Sequence, residues 1–195
     1  MGDDSVFRWV MAAGVVAVVG TTLPHRVKAG TREKLDRRKE GVFMLATLRP
    51  AGAALWLGII AYTINPAWMA WSAVTLPVWL RWSGAGFYGL AVALLIWTLP
   101  TLGPNLTDTV VTREHHTLVT RGPYRWIRHP FYVAMALIIV AGALIMANWF
   151  VLASGTVVFV LLAIRSRVEE EQLAARFGDA YREYKKRTGR FLPKL

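Results

Sequence analysis

Residues 121–132 read R-G-P-Y-R-W-I-R-H-P-F-Y, so that three arginines, a histidine and four aromatic side chains stand directly before a long apolar run. The run ends at Arg165, where the chain continues R-S-R-V-E-E-E-Q-L. If it doubles back inside a membrane, it returns Glu169 and Glu170 to the face that carries Arg128 and His129. Cations, carboxylates and aromatic rings would then converge beside lipid. Such a set suits a ligand that is both zwitterionic and aromatic, because guanidinium pairs with carboxylate, carboxylate pairs with ammonium, and ring faces accept cations and flat heterocycles. The same residue types also serve a simpler purpose. Juxtamembrane Arg and aromatics anchor to headgroups, and an E-E-E run can be a solvated helix face.

The elements that must position these residues are set by composition. The chain has 195 residues, 55% of them hydrophobic, with 9 Trp and no Cys, yet a formal charge of +11. Its apolar residues come in long blocks and its charges in a few loops and the C-terminus, the pattern of a polytopic all-α membrane protein. Basic loops beside spans account for the charge without nucleic acid. The absence of Cys excludes disulfides, thiolate metal sites and cysteine nucleophiles. The block 6–23 follows Asp3 and Asp4 and precedes no small-x-small cleavage site, so it reads as a retained span and not a signal peptide.

Four apolar blocks stand out, at 6–23, 42–64, 66–102 and 131–164. The loops 25–40 and 103–129 and the tail after Arg165 are rich in Lys and Arg, so all three are expected on the cytoplasmic side. An even number of crossings must separate the first loop from the second, so 66–102 crosses once. Its first part, with four Trp, Pro77 and Arg81, reads as an interfacial helix on the outer face, and 84–102 as the third span. The block 131–164 would be about 50 Å as one helix, beyond a bilayer core of roughly 30 Å, so it is read as a helical hairpin turning at Asn148. Small residues on its legs (Ala134, Ala141, Gly142, Ala143, Ser154, Gly155) would let the two legs pack closely. The expectation is about five transmembrane helices, N-terminus outside, arranged as an N-terminal region 1–102 and a catalytic region 103–195. The tail after Arg167 reads as a cytoplasmic amphipathic helix, bent or ended at Gly178, with Leu173, Phe177, Tyr181 and Tyr184 on one stripe, Glu169 and Glu170 flanking it, and Glu171 turned away.

S-adenosylmethionine is a ligand of the kind described, zwitterionic, sulfonium-bearing and aromatic. The motifs point the same way. H-T-L-V-T-R-G-P-Y-R-W-I-R-H-P-F-Y, followed by V-E-E-E-Q-L-A-A-R-F-G-D-A-Y-R-E-Y and R-F-L-P, resembles the isoprenylcysteine carboxyl methyltransferase family, a group with prokaryotic members, and is similar to phospholipid N-methyltransferases in its C-terminal half. The segment L-G-P-N-L-T at 102–107 resembles the family's motif after its preceding span. The likeness runs over about 102–193.

The resemblance implies an integral-membrane methyltransferase that uses S-adenosylmethionine. Its cofactor set would be His116, Leu118, Val119, Gly122, Tyr124, Arg128, His129, Pro130, Tyr132, Glu169 and Glu170. Arg128, Arg125 and Glu169 are the expected catalytic residues, and Arg49 and Asn105 candidate substrate contacts. Relatives often carry Gly where this chain has Ala134. Simpler roles stand beside these: His129 as a helix cap, Pro130 as an ordinary first helical residue, Tyr124 and Tyr132 as interface anchors, Arg49 as a snorkelling cation; Arg190 in R-F-L-P reads as a tail clasp or a substrate contact. His115 and His116 are neighbours without a third ligand at metal spacing, so no metal is expected. Expected partners are the lipid bilayer and a lipophilic small molecule or prenylated substrate. The composition suggests a bacterial cytoplasmic membrane. Carboxyl O-methylation is the first reading and amine or phospholipid N-methylation the alternative. An NADPH-dependent membrane reductase is a further rival, weakened by the lack of a glycine-rich dinucleotide turn, and a non-enzymatic subunit is the last.

Overall fold

In a computed structural model, residues 2–29, 42–103 and 117–194 are described. Six helices account for most of them: α1 (Gly2–Ala29), α2 (Val42–Ile64), α3 (Val78–Leu102), α4 (Pro130–Met146), α5 (Trp149–Phe177) and α6 (Asp179–Arg187). Strands are absent among the described residues, where two isolated bridges occur, Ala73 with Asn148 and Ile127 with Gly189. Helices α1, α2, α3 and α5 are long and apolar enough to cross a membrane, and α4 is a shorter apolar helix of 17 residues. The protein is an all-helical, multi-pass membrane protein. Side chains on the outside of the bundle are apolar, as lipid requires: Val16, Leu57, Leu90, Val157 and Val160 are all exposed.

One end of the bundle is tied by two polar knots. Arg81, in the first turn of α3, donates from Nε and Nη2 to the carbonyl of Ile145 on α4, at 3.0 and 2.9 Å. It also reaches Asp4 of α1 at 2.8 Å and the Tyr62 hydroxyl of α2 at 3.1 Å. Asn148 forms the second knot. Its Oδ1 caps α5 by accepting from the Val151 amide at 3.2 Å, and its Nδ2 donates to the Met69 carbonyl and Ser72 Oγ at 3.2 and 2.9 Å. The hairpin between α4 and α5 turns here, with Ala147 in the left-handed region at φ 46° and Asn148 extended. The start of α1, the 66–77 segment and the hairpin tip therefore share one face. Span parity places 122–129, the end of α5 and α6 at the other.

One expectation is corrected and two are refined. The 66–82 segment is not an interfacial helix. A 3-10 turn (Pro66–Ser72) leads into extended chain, and α3 begins at Val78, directly after Pro77 at its N-cap. Proline lacks the N–H a helix interior needs, so the span starts past it and includes Arg81. Trp68, Trp71, Trp79 and Trp82 are nonetheless exposed, as a belt at a membrane surface should be. The tail after Arg167 is helical as expected, but as a continuation of α5, which runs unbroken to Phe177 and ends at Gly178, whose φ of 54° suits glycine. Finally, the small residues serve more than the hairpin. Gly155 does meet Ile139 across it, but Ala134 packs among Leu95 and Leu99 of α3. A Cβ on Gly84 would stand 2.9 Å from the Ala141 carbonyl oxygen, so α3 and α4 also approach closely.

Replacing Asn148 with Ala removes the α5 cap and both donors to the 66–72 turn. The expected cost is about 1–3 kcal/mol, read as a lowered thermal midpoint in detergent. Asn148→Asp, which keeps the cap and loses the donors, should fall between; an unchanged midpoint for Ala would count against the knot.

Candidate active site

The site is assembled from three stretches distant in sequence. The first is the turn before α4. Gly122 opens it at φ 59°, closely backed by Thr101 of α3, where a Cβ would collide with the threonine side chain. A 3-10 turn (Gly122–Arg125) follows, and Pro130 then starts α4. The second stretch is the extension of α5 past the end of its continuous apolar run at Ile164. The third is the tail after α6, where the chain pairs in parallel with the first: Gly189 N donates to the Trp126 carbonyl at 3.1 Å, Arg128 N to that of Gly189 at 2.9 Å, and His129 N to that of Arg190 at 3.1 Å.

Glu170 lies where the three meet. Its side chain is 3% exposed. Arg128 Nε donates to Oε1 at 2.9 Å, Arg190 Nε to Oε1 at 3.1 Å, and Arg190 Nη2 to Oε2 at 2.9 Å. His129 Nε2 stands 3.2 Å from Oε1, and Lys185 Nζ 3.4 Å from Oε2. Arg128 also donates through Nη1 to the Thr188 carbonyl. Bonding to Glu170 raises the Arg190 guanidinium above its ordinary pKa.

Glu169, one residue earlier, is different. Its side chain is 37% exposed, and it accepts a hydrogen bond from the Tyr132 hydroxyl at 3.0 Å, with His129 Nδ1 3.8 Å away. The His129 ring thus stands between the two carboxylates and stacks on Tyr132 with 1° between the planes and 5.3 Å between centroids. Phe191 leans on its edge at 5.8 Å. Behind them, Tyr184 donates to the Tyr124 carbonyl at 2.7 Å. Burial pushes the Tyr184 hydroxyl up to about 12, and burial with the Glu169 charge raises Tyr124 further. Both are hydroxyl donors, not phenolates, at neutral pH.

The structure therefore brings together Arg128, His129, Tyr132, Glu169 and Glu170, with Tyr124 and Pro130 buried against them. Glu171 is exposed. Leu118 and Val119 are half-buried in the chain leading to Gly122. Arg125 is elsewhere: it is exposed, and its guanidinium lies over the Trp126 ring at 3.7 Å, beside Trp97. Arg49 is an exposed residue of α2, and among the described residues no hydrogen bond joins it to the cluster. His116 and Asn105 lie outside the described residues. Among the described residues no group of three His, Asp or Glu is placed to hold a metal. Sequence reasoning missed Thr188, Gly189 and Phe191, which act through backbone pairing and ring contact. The only signal for them was the R-F-L-P segment, in which Arg190 was weighed as a clasp.

Comparison with known proteins bears on the same stretch. Residues 85–175 match the model of the isoprenylcysteine carboxyl methyltransferase family. That part of the chain is similar to this family. Human protein-S-isoprenylcysteine O-methyltransferase is 32% identical over 140 residues, covering 63% of this chain and 44% of the human protein. Methanethiol S-methyltransferase of Mycobacterium tuberculosis is 27% identical over 146 residues, covering 74% and 51%. The solved structure of the eukaryotic intramembrane Ras methyltransferase aligns with a TM-score of 0.54 at 25% identity, over 74% of this chain and 51% of that one. The chain spans about half the length of these relatives. The matching segment takes in most of α3, all of α4 and nearly all of α5, hence both carboxylates and the R-H-P-F-Y turn. The clasp at 188–191 lies beyond it.

The two carboxylates should separate by stability. Glu170→Ala leaves Arg128 and His129 buried without their anion, which is expected to cost about 3–5 kcal/mol and to open 188–191 to hydrogen exchange. Glu169→Ala, at a half-exposed position, should cost about 1 kcal/mol or less. Equal losses in thermal unfolding would contradict the division.

Proposed function

We propose that this chain is an integral-membrane methyltransferase that takes a methyl group from S-adenosylmethionine and passes it to a lipophilic acceptor, an isoprenylcysteine-like or other hydrophobic carboxylic acid. The observation that carries this reading is the meeting of the 169–170 carboxylates with the R-H-P-F-Y turn at one end of the bundle, inside the family segment.

The residues fit the cofactor in kind. Glu169 retains exposed surface and suits an ammonium, whereas Glu170 is already held by Arg128, Arg190 and His129. The stacked His129 and Tyr132 rings offer flat faces to an adenine or a sulfonium. Lys185, about half exposed beside Glu170, is a cation for a carboxylate. When bound, S-adenosylmethionine supplies an electrophilic methyl group on a sulfonium. The chain supplies approach geometry and exclusion of water. Tyr132 holds Glu169 in place through its hydroxyl, and the Glu170 clasp fixes the His129 ring between the carboxylates. A carboxylate acceptor is a nucleophile at pH 7 and needs no base. The acceptor comes sideways from the bilayer, since the site lies where α4 begins and the apolar run of α5 ends.

The site-bearing face is the cytoplasmic one, with the N-terminus outside, and the membrane is a bacterial cytoplasmic membrane. Among the described residues only Arg8 and Arg81 of the basic side chains stand at the opposite face, and excess Lys and Arg mark the cytoplasm. The thiol acceptor in the name of the mycobacterial relative favours a second reading, S-methylation of a small thiol. In that case Glu169 or His129 is the candidate base, because a thiol reacts as its thiolate.

Calorimetric titration of the purified protein should detect S-adenosylhomocysteine and not NADPH. Glu169→Ala should weaken binding about 10–100-fold, as expected for one charge-assisted contact, while leaving the thermal midpoint nearly unchanged. NADPH binding, or undiminished affinity in the variant, would overturn the assignment. Transfer of tritiated methyl into membrane lipid extract should give a base-labile product; a base-stable one points to sulfur or nitrogen.

A further inference from the structure

The C-terminal tail carries features that the proposed site does not use. Helix α6 is D-A-Y-R-E-Y-K-K-R, with four cations against two acids. Tyr181 and Tyr184 are buried against the protein, and Arg182, Glu183, Lys185, Lys186 and Arg187 are all exposed. Its two acids are taken up by exposed pairs, Arg182 with Asp179 and Lys186 with Glu183. Such pairs are weak, so the helix presents an excess of positive charge.

The level of this face relative to the bilayer follows from three contacts. Arg128, two residues before α4, approaches the Lys185 carbonyl at 3.4 Å, so the end of α6 lies where α4 enters the membrane. Phe191 packs against Phe159 of α5 at 5.8 Å. Phe159 precedes Ile164, the last apolar residue of that span, by five residues, and so lies about 7 Å inside it. The next residue of the tail, Leu192, is 77% exposed. A large apolar side chain exposed next to that contact is suited to acyl chains. Lys194 then donates to the Lys186 carbonyl at 3.0 Å, returning the tail to α6.

We propose that α6 and the tail form an anchor on the anionic lipid of the protein's own bilayer, with Leu192 in the acyl boundary and Arg182, Lys186 and Arg187 on the headgroups, Lys185 being left to the site. Each Lys or Arg near an anionic surface contributes an attraction that falls off within a Debye length, and an apolar side chain adds insertion. The anchor is independent of which molecule the site binds.

The chain has no Cys, so Leu192→Cys accepts a single environment-sensitive fluorophore. The labelled full-length protein is compared in nanodiscs of phosphatidylcholine and in discs that also contain phosphatidylglycerol. Emission should strengthen and shift to the blue in the anionic discs, with quenching by doxyl-labelled lipid, and high salt should reverse both. Substituting Arg182, Lys186 and Arg187 together with Gln should reduce surface occupancy on the order of a hundredfold and abolish the response. Glu183→Lys should move the response to lower phosphatidylglycerol content. Equal emission in the two lipids, an unaltered response in the triple variant, or an equal response to added oligonucleotide in neutral discs would overturn the anchor.

Discussion

A single carboxylate, that of Glu170, carries the charge balance where three parts of the chain distant in sequence meet. It accepts from Arg128 before α4, faces His129, and takes both arms of Arg190 from the tail. A buried charge is costly unless its partners are complete, and so are the cations that depend on it. The start of α4, the far end of α5 and the tail must therefore assemble together or not at all. Glu170 reaches its partners because α5 is one helix from the hairpin turn outward, without Gly or Pro between Gly155 and Gly178. Over that length each residue turns the helix by about 100°. The cap made by Asn148 at one end thus sets which of three consecutive glutamates meets Arg128 at the other.

The opposite end of the bundle answers the same problem with different groups. Lipid offers helices no hydrophobic reason to associate, so close backbone approach and polar contacts must do so. Arg81 gathers α1, α2, α3 and α4 through Asp4, Tyr62 and the Ile145 carbonyl, while Asn148 fastens the hairpin tip to the 66–72 turn. Between the two ends, Gly84 against Ala141 and Gly155 against Ile139 bring helices close. Polar knots at both surfaces and small residues between them leave the long apolar faces free for lipid.

Much of this was legible in the sequence because it depends on length and period. The 131–164 run was too long for one span, and Asn148 was the only polar residue near its middle, so the hairpin could be placed. The 3.6-residue period was enough to separate Glu170 and Glu169 from Glu171. What failed depended on tertiary partners. The 66–82 segment looked helical by composition, but Pro77 and the side chain of Asn148 favour a 3-10 turn and an extended link. Arg81 read as an interfacial cation because its acceptors lie on three other helices. The parallel pairing of Gly189 and Arg190 with 126–129 has no local signature at all, since backbone pairing between an irregular tail and an irregular turn leaves no period to detect.

The resemblance treated Glu169 and Glu170 as one pair, but their surroundings set them apart. A carboxylate already accepting from two guanidiniums, with a histidine nitrogen and an ammonium beside it, has little capacity left for a ligand, and removing it disturbs the fold before it disturbs binding. A neighbour that retains exposed surface, and is steered by a single phenol, can exchange water for an incoming cation without breaking anything structural. Consecutive positions on a helix point about 100° apart, which is enough for one acid to close the site and the next to face what enters it. Loss of activity in a Glu170 variant would therefore say little about ligand contact, whereas loss in a Glu169 variant that stays folded bears on it directly.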